Sequence, residues 1–313
     1  MRDLSVIIPA RNEIFLTNTI DNVLANARAN TEVIAILDGY WPNPPLKDNP
    51  KVVVIHTTEV IGQRAATNLG ARLSQAKYVM KLDAHCAVGA AFDRILIEDC
   101  QPDWTMIPML YNLHAFDWEC TFCGNRTYQG TKPEQCKKCH AKDCFVMAML
   151  WKPREGKGPY VSWRFNKQME FKQWRKHCRR PEAQGELVET LSFAGPCFFM
   201  FRDRYWELGG CDEAHGSWGQ FGTEWACKSW LSGGKLITTR KTWFAHMFRT
   251  GNFRGSGHQG SAFPYPLSGT DQAYAKKYSQ DLWLNDRWEK AIHPLSWLID
   301  KFKPVPDWHE NAA

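Results

Sequence analysis

Lys81-Leu82-Asp83-Ala84-His85-Cys86 follows the apolar run Tyr78-Val79-Met80 and sets a carboxylate and an imidazole two residues apart. Residues i and i+2 of a strand share a face, so at a strand tip Asp83 and His85 can hold one divalent cation between them. The bland alternative is a solvated turn. A second constellation is more specific: Cys120-x-x-Cys123, twelve residues, then Cys136-x-x-Cys139. Four thiolates at zinc-ribbon spacing close a tetrahedral site that holds structural Zn2+ rather than doing catalysis. Gly124 supplies the tight turn after the first pair, and His140 or Cys144 could replace one ligand. Unlinked thiols or disulfides in a loop are the alternative.

The third feature is charge. The chain of 313 residues carries a net +6. Residues 151–180 hold ten Lys and Arg against two Glu, a net +8, so the remainder nets −2. Trp151, Tyr160, Trp163, Phe165 and Trp174 interleave with these cations. A phosphate backbone with stackable bases would select such a stretch; a solvated face whose aromatics are core would look the same.

These groups need a scaffold, and 44% hydrophobic with 13% aromatic residues is enough for a large buried core. The chain opens on no basic segment followed by an apolar stretch, and no run reaches the roughly 18 apolar residues of a membrane span. Eleven cysteines, an odd number mostly scattered singly, suit a reducing compartment. The expectation is a soluble cytoplasmic protein, in host cytoplasm if phage-encoded. In chain order, strands are predicted at 4–9, 32–37, 51–56 and 78–82, with helices at 17–28 and 62–74. Alternation of strand and helix implies an α/β fold with a parallel, doubly wound sheet. Ligands sit at the carboxyl ends of strands in such sheets, where Arg11, Glu13, Asp38, Asp83 and His85 fall.

SVIIPARNE at 5–13, ILDG at 36–39, IGQRAATNLGARLSQAKYVMKLDAHC at 61–86 and AGPCFFMFRDRYWELGGCDE at 194–213 together resemble the nucleotide-sugar glycosyltransferases of the GT-A fold. Family 2 and the polypeptide N-acetylgalactosaminyltransferases share this layout, and the second group is nearer because it uses D-x-H followed by Cys. WGQFGTEWACKSWLSGGKL at 218–236 is similar to that group's W-G-G-E-N-x-E segment, and FAHMFR at 244–249 to its G-H-V-F-R. The resemblance implies a Rossmann-like GT-A domain with mostly parallel sheet and a UDP-sugar donor; the four-cysteine segment, a small zinc-ribbon insertion, has no counterpart in that family. It implies Asp83, His85 and His246 as ligands of Mn2+ (or Mg2+), although His246 beside Trp243, Phe244 and Phe248 could equally be a core histidine. Pro9, Arg11, Glu13, Asp38, Gly62, Arg64, Asp83, Gly195, Asp212 and Glu213 are implied as the nucleotide-sugar cleft. Asp83, His85, Trp218 and Glu224 are implied at the catalytic centre, with Glu224 either binding sugar or capping a helix. Thr67 stands where related enzymes often carry arginine.

One departure bears on mechanism. Phe221 occupies the place of a carboxylate that inverting relatives use as general base, so retention of configuration is expected. The expected organisation is a nucleotide-sugar half at 1–110, the zinc-ribbon insertion at 111–150, a basic aromatic segment at 151–190, an acceptor half at 191–250, and a mobile loop with C-terminal helix at 251–313. Residues 250–269, rich in Gly, Ser and Pro, are expected to close over the donor. The lectin domain by which related enzymes reach glycopeptide acceptors is not expected. The zinc ribbon and the basic segment point to hydroxymethyl-pyrimidine DNA as acceptor, a bacteriophage-type modification in which a base leaves the stack. A protein Ser/Thr hydroxyl or a surface glycan is one alternative. The other is an inactive transferase fold acting as a zinc-containing nucleic-acid-binding protein.

Overall fold

The computed structural model describes residues 2–248 and 272–308. Its strands are β1 Leu4–Ala10, β2 Thr31–Asp38, β3 Val52–Thr57, β4 Tyr78–Leu82, β5 Cys86–Val88, β6 Trp104–Cys120, β7 Arg126–Tyr128, β8 Phe145–Pro153, β9 Trp163–Phe165, β10 Phe171–Gln173, β11 Leu187–Glu189, β12 Cys197–Phe201 and β13 Lys235–His246. The helices are α1 Leu16–Asn26, α2 Gly62–Leu73, α3 Phe92–Asp99, α4 Arg202–Glu207, α5 Phe221–Leu231, α6 Gln272–Leu284 and α7 Leu295–Lys301. Among the described residues no helix is long and apolar enough to cross a membrane.

One main sheet runs in the order β11-β13-β6-β12-β4-β1-β2-β3. β1 lies parallel between β2 and β4, and β3 extends β2 in the same sense. Both faces of these strands are covered, which is why β1, β2 and β4 read as continuous apolar runs. Beyond β4 the sheet is mixed. β12 runs antiparallel to both β4 and β6, and β6 parallel to β13. The β4-β1-β2-β3 part therefore matches the doubly wound expectation, and the sheet becomes mixed beyond it; a strand returning from a long excursion need not obey the crossover rule of parallel units.

β6 is the unexpected element. Its 17 residues run from the centre of the sheet outward, so the boundary placed at residue 110 falls inside a strand. Its far half pairs antiparallel with β7 and β8 and ends at Cys120. The segment at 250–269 lies outside the described residues. Helix α6 follows where a terminal helix was expected.

The basic aromatic segment is mostly structural. Trp163, Phe165 and Trp174 are buried. Arg164 reaches the Pro306 carbonyl at 3.1 Å and the Asp307 carboxylate at 2.6 Å. Arg180 donates to the carbonyls of Phe302 (2.9 Å), Lys303 (3.2 Å) and Pro304 (2.6 Å), and its guanidinium lies 4.7 Å from the Trp174 ring centre. The aromatics expected to stack on bases thus pack the core, and two of the cations bind the C-terminal segment.

The packing of α5 against the loop before β12 is close. A Cβ added at Gly222 would lie 2.0 Å from the Phe193 carbonyl oxygen, a backbone atom that cannot rotate aside. Gly222→Ala is expected to lower stability by about 1–3 kcal/mol, the usual cost of overpacking, despite alanine's better helix propensity. A lowered midpoint in urea unfolding with unchanged m-value checks this.

Candidate metal and donor site

Three separate elements converge at the tip of β4. Asp83 follows that strand, His85 precedes β5, and His246 ends β13. β13 pairs antiparallel with β5, setting His246 opposite Cys86, and this register brings the two imidazoles together. His85 Nε2 and His246 Nε2 are 3.0 Å apart, and His246 Nε2 is 3.2 Å from Asp83 Oδ2. For a hard cation with ligands at about 2.1 Å, adjacent octahedral positions are about 3 Å apart. The three side chains fit one divalent ion, and all of their ligand atoms lie within 4.8 Å of one another.

The surroundings orient these groups. His85 Nδ1 donates to Glu13 Oε2 at 2.7 Å, which leaves the Nε2 lone pair for a metal; metal-ligating histidines almost always carry such a partner. Glu13 also accepts from the Phe15 backbone N–H at 2.9 Å. Asp83 Oδ1 accepts from Lys81 Nζ and, at 2.9 Å, from Gln63 Nε2. Burial would raise the Asp83 carboxyl, but the Lys81 ammonium and then the two histidines outweigh it and hold it well below the usual carboxylate range. Burial also pushes the His246 imidazole down to about 4, against the pull of Asp83. His246 is therefore neutral near pH 7, as a ligand must be. For His85 the Glu13 carboxylate outweighs burial and raises it.

Of the other expected cleft residues, Asp38 and Gly62 are engaged within the protein. Both Asp38 oxygens accept backbone N–H groups at the start of α2, from Ile61 at 2.6 Å and Gly62 at 3.1 Å, and Gln63 N–H donates to the Ser217 carbonyl at 3.0 Å. Asp38 thus anchors a helix start, and the Gly62 N–H is already engaged. Thr67 is buried and donates to the Gln63 carbonyl at 2.7 Å. Pro9 and Arg11 are half-buried at the end of β1.

Arg64 and Glu224, expected at donor and sugar, instead form a buried ion pair of 2.7 Å, with side chains 1% and 0% exposed. Arg64 also donates to the carbonyls of Gly216 (3.1 Å) and Gly219 (2.6 Å). The other Glu224 oxygen accepts from Lys228 Nζ at 2.8 Å and the Asp212 backbone N–H at 2.7 Å. Both Glu224 oxygens are engaged within the protein and the side chain has no exposed surface, so it braces Arg64, Lys228 and the Asp212 backbone. Asp212 pairs with His215 at 3.2 Å and accepts from the Ala214 N–H at 3.1 Å. Glu213 accepts from Asn68 at 2.7 Å. Trp218 is exposed at the loop tip. Gly195 presents its carbonyl to Lys81 at 3.1 Å.

Lys81 and Gln63, the partners of Asp83, were not recognised as functional from the sequence. The available signal was a lysine inside an otherwise apolar strand, since a buried charge requires a partner.

The four expected cysteines do converge. Cys120 and Cys139 Sγ are 3.6 Å apart, as are Cys123 and Cys136; Zn–S bonds of about 2.3 Å give tetrahedral S···S edges of about 3.8 Å. Two matching knuckles present them. Gly124 N–H donates to the Cys120 carbonyl at 2.9 Å and His140 N–H to that of Cys136 at 3.0 Å. Gly124 and His140 both have positive φ, 68° and 58°. Burial raises the Cys120 thiol, but backbone N–H groups of Cys123 and Phe122 outweigh it and draw it down to about 6. Cys144 is no fourth ligand but a fifth thiol, 3.4 Å from Cys120 Sγ.

The family model described as Glycosyl transferase family 2 matches residues 5–105. A Caenorhabditis elegans protein described as "Probable N-acetylgalactosaminyltransferase 7" is 24% identical over 261 residues, which is 79% of this chain and 39% of that protein. N-acetylgalactosaminyltransferase 7 of Rattus norvegicus is 25% identical over 272 residues, 80% of this chain and 37% of that one. The chain thus spans about two fifths of the length of these curated relatives. Among solved structures, the crystal structure of GalNAc-T7 with UDP, GalNAc and Mn2+ superposes with a TM-score of 0.59 at 18% identity, covering 91% of this chain and 49% of that one.

Two outcomes follow from the buried pair and the thiol cluster. Glu224→Gln leaves two buried cations without a counter-charge and should cost about 3–5 kcal/mol, read from chemical denaturation. The purified protein should contain one zinc per chain by elemental analysis, and chelation should raise hydrogen exchange across 120–144 while β1 and β4 stay protected. This chain thus has a GT-A-like fold, matches the Glycosyl transferase family 2 model over residues 5–105, and brings four cysteines together in the segment that follows that match.

Proposed function

We propose that this protein is a metal-dependent glycosyltransferase that moves a sugar from a UDP-sugar to a hydroxyl of a macromolecular acceptor. The observation that carries this reading is the convergence of Asp83 Oδ2, His85 Nε2 and His246 Nε2 at 3.0 and 3.2 Å, at the carboxyl end of a central strand. Bound there, Mn2+ (or Mg2+) would neutralise the charge that a departing nucleoside diphosphate accumulates. Glu13 fixes the tautomer of His85, and Lys81 with Gln63 turns one Asp83 oxygen away from the imidazoles. The relatives are N-acetylgalactosaminyltransferases, which favours an N-acetylhexosamine as the donor sugar. Structural Zn2+ occupies the four-cysteine site in this reading.

Configuration is retained. Phe221 is buried where inverting relatives keep a base, and its ring faces the Lys81 and Arg64 cations at 4.6 and 5.6 Å. An apolar ring in that place can accept no proton from an attacking hydroxyl.

For the acceptor, the likeness to these relatives favours a protein Ser/Thr hydroxyl or a glycan. Hydroxymethyl-pyrimidine DNA is the second reading, favoured by the exposed cations Lys167, Arg175, Lys176 and Arg179; burial of Trp163, Phe165 and Trp174 removes its stacking argument.

A screen of nucleotide sugars for Mn2+-dependent hydrolysis tests the proposal, followed by mass spectrometry of protein and DNA incubated with the active donor. Asp83→Ala is expected to lower hydrolysis by at least about 100-fold, the scale for losing a group that stabilises developing charge. No turnover with any sugar and any metal would leave an inactive fold as the better account. Salt-insensitive or absent gel shifts would remove DNA.

A further inference from the structure

A fifth thiol stands against the four-cysteine site. Cys144 Sγ lies 3.4 Å from Cys120 Sγ, nearer than the 3.6 Å that separate Cys120 from Cys139 and Cys123 from Cys136. It does not belong to the four sulfurs that all lie within 4.8 Å of one another. A closed tetrahedral zinc site takes four ligands, so Cys144 is left over beside one of them. Its other contact is the Ala141 carbonyl at 3.3 Å. A buried cysteine is ordinarily a small apolar side chain; what sets Cys144 apart is a ligand sulfur at contact distance.

Access and contact give these thiols an order. Cys139 is exposed and Cys123 half-buried, whereas Cys120, Cys136 and Cys144 are buried. Cys120 lies against both the exposed Cys139 and the spare Cys144, and so links surface to interior. It is the last residue of β6, its register partner Phe145 opens β8, and Thr121 N–H donates to the Cys144 carbonyl at 2.7 Å. Cys120 and Cys144 therefore sit at the neck of the insertion, where two long strands meet the knuckles, 24 residues apart in sequence.

We propose that the insertion is a peroxide-sensitive modification site, in which a disulfide between Cys120 and Cys144 takes over from the metal in closing the neck. The inference rests on the zinc reading of the four cysteines. Thiolates that serve as metal ligands are the nucleophilic form of the side chain. A hydroperoxide transfers one oxygen to the Cys139 thiolate: its O–O bond breaks, the sulfur gives up two electrons and becomes a sulfenic acid, and the other oxygen leaves as alcohol or water. The Cys120 thiolate attacks that sulfur, forming a disulfide and expelling hydroxide. Cys144 then attacks the Cys120 sulfur, loses its proton to water and releases Cys139 as thiolate. In sum Cys120 and Cys144 are oxidised to one disulfide and one peroxide is reduced. A disulfide is about 2.0 Å long, so the two sulfurs need approach by only about 1.4 Å. Three cysteines then remain for the ion. The knuckles at 121–143 lose their anchor while β6 and β8 stay joined.

The test uses the full chain, reduced and loaded with zinc, then treated with hydrogen peroxide. Free thiols are alkylated and disulfides mapped by peptide mass spectrometry; the expected bond joins Cys120 to Cys144. Zinc affinity, read by competition with a chromogenic chelator, should fall at least about 100-fold, because losing even an outer partner of a ligand costs about 10–100-fold. Hydrogen exchange should rise across 121–143 and stay slow in 113–119 and 145–149. A thiol reductant with added zinc should reverse all three. Cys144→Ser should bind zinc as the unaltered protein does, and after peroxide should carry a Cys120 to Cys139 disulfide or a Cys139 sulfinic acid instead. Absence of the Cys120 to Cys144 bond in the oxidised unaltered protein overturns the proposal, a result that stands even if Cys144→Ser folds poorly. A folded Cys144→Ser protein that fails to hold zinc before any peroxide also overturns it, since Cys144 would then be a ligand. An unaltered protein that takes up no zinc overturns instead the metal reading on which the proposal rests.

Discussion

Asp83 is held between a buried ammonium and two imidazoles, and much of the structure exists to make that arrangement tolerable. A carboxylate taken out of water requires partners on both oxygens. Lys81 and Gln63 supply them on one side, the edge of His246 on the other. These partners come from β4, α2 and β13, so the site exists only when the parallel and the mixed parts of the sheet are joined. The short strand β5 is the joint, because its pairing with β13 sets His246 beside His85.

A second buried ion pair performs the corresponding task for the loop around the cleft. Arg64 from α2 and Glu224 from α5, 160 residues apart in sequence, meet here. From them, hydrogen bonds run to the 212–219 loop. Buried ion pairs contribute little net stability against an apolar alternative of the same shape. Their value here is geometric, since bonds from one guanidinium to two loop carbonyls and from one carboxylate to a backbone N–H fix a segment with little core of its own. Arg64 and Glu224 are thereby engaged in bracing this loop.

The cysteine insertion is continuous with this frame. β6 leaves the main sheet without a break and ends in the first knuckle, so zinc there would secure the outer end of a strand whose inner end pairs with the strand carrying His246. The basic stretch that follows is likewise drawn inward, with Trp163, Phe165 and Trp174 in the core and Arg164 and Arg180 holding the C-terminal segment.

The donor-side strands, helices α1 and α2, the four-cysteine cluster and the Asp83/His85/His246 set were all legible in the chain, because each is encoded over short distances. Apolar runs and helical periodicity report local burial, and knuckle spacing reports one tight turn. Motif order supplied His246. What the chain alone left open was the fate of individual charges. Whether Glu224 meets sugar or Arg64, whether Trp163 stacks on a base or fills the core, and whether Lys81 is a surface lysine or the partner of Asp83 depend on groups brought together from distant positions. Charge and aromaticity are the same in solvent and in a core; only the packing of remote elements decides which groups lose water and must therefore be paired.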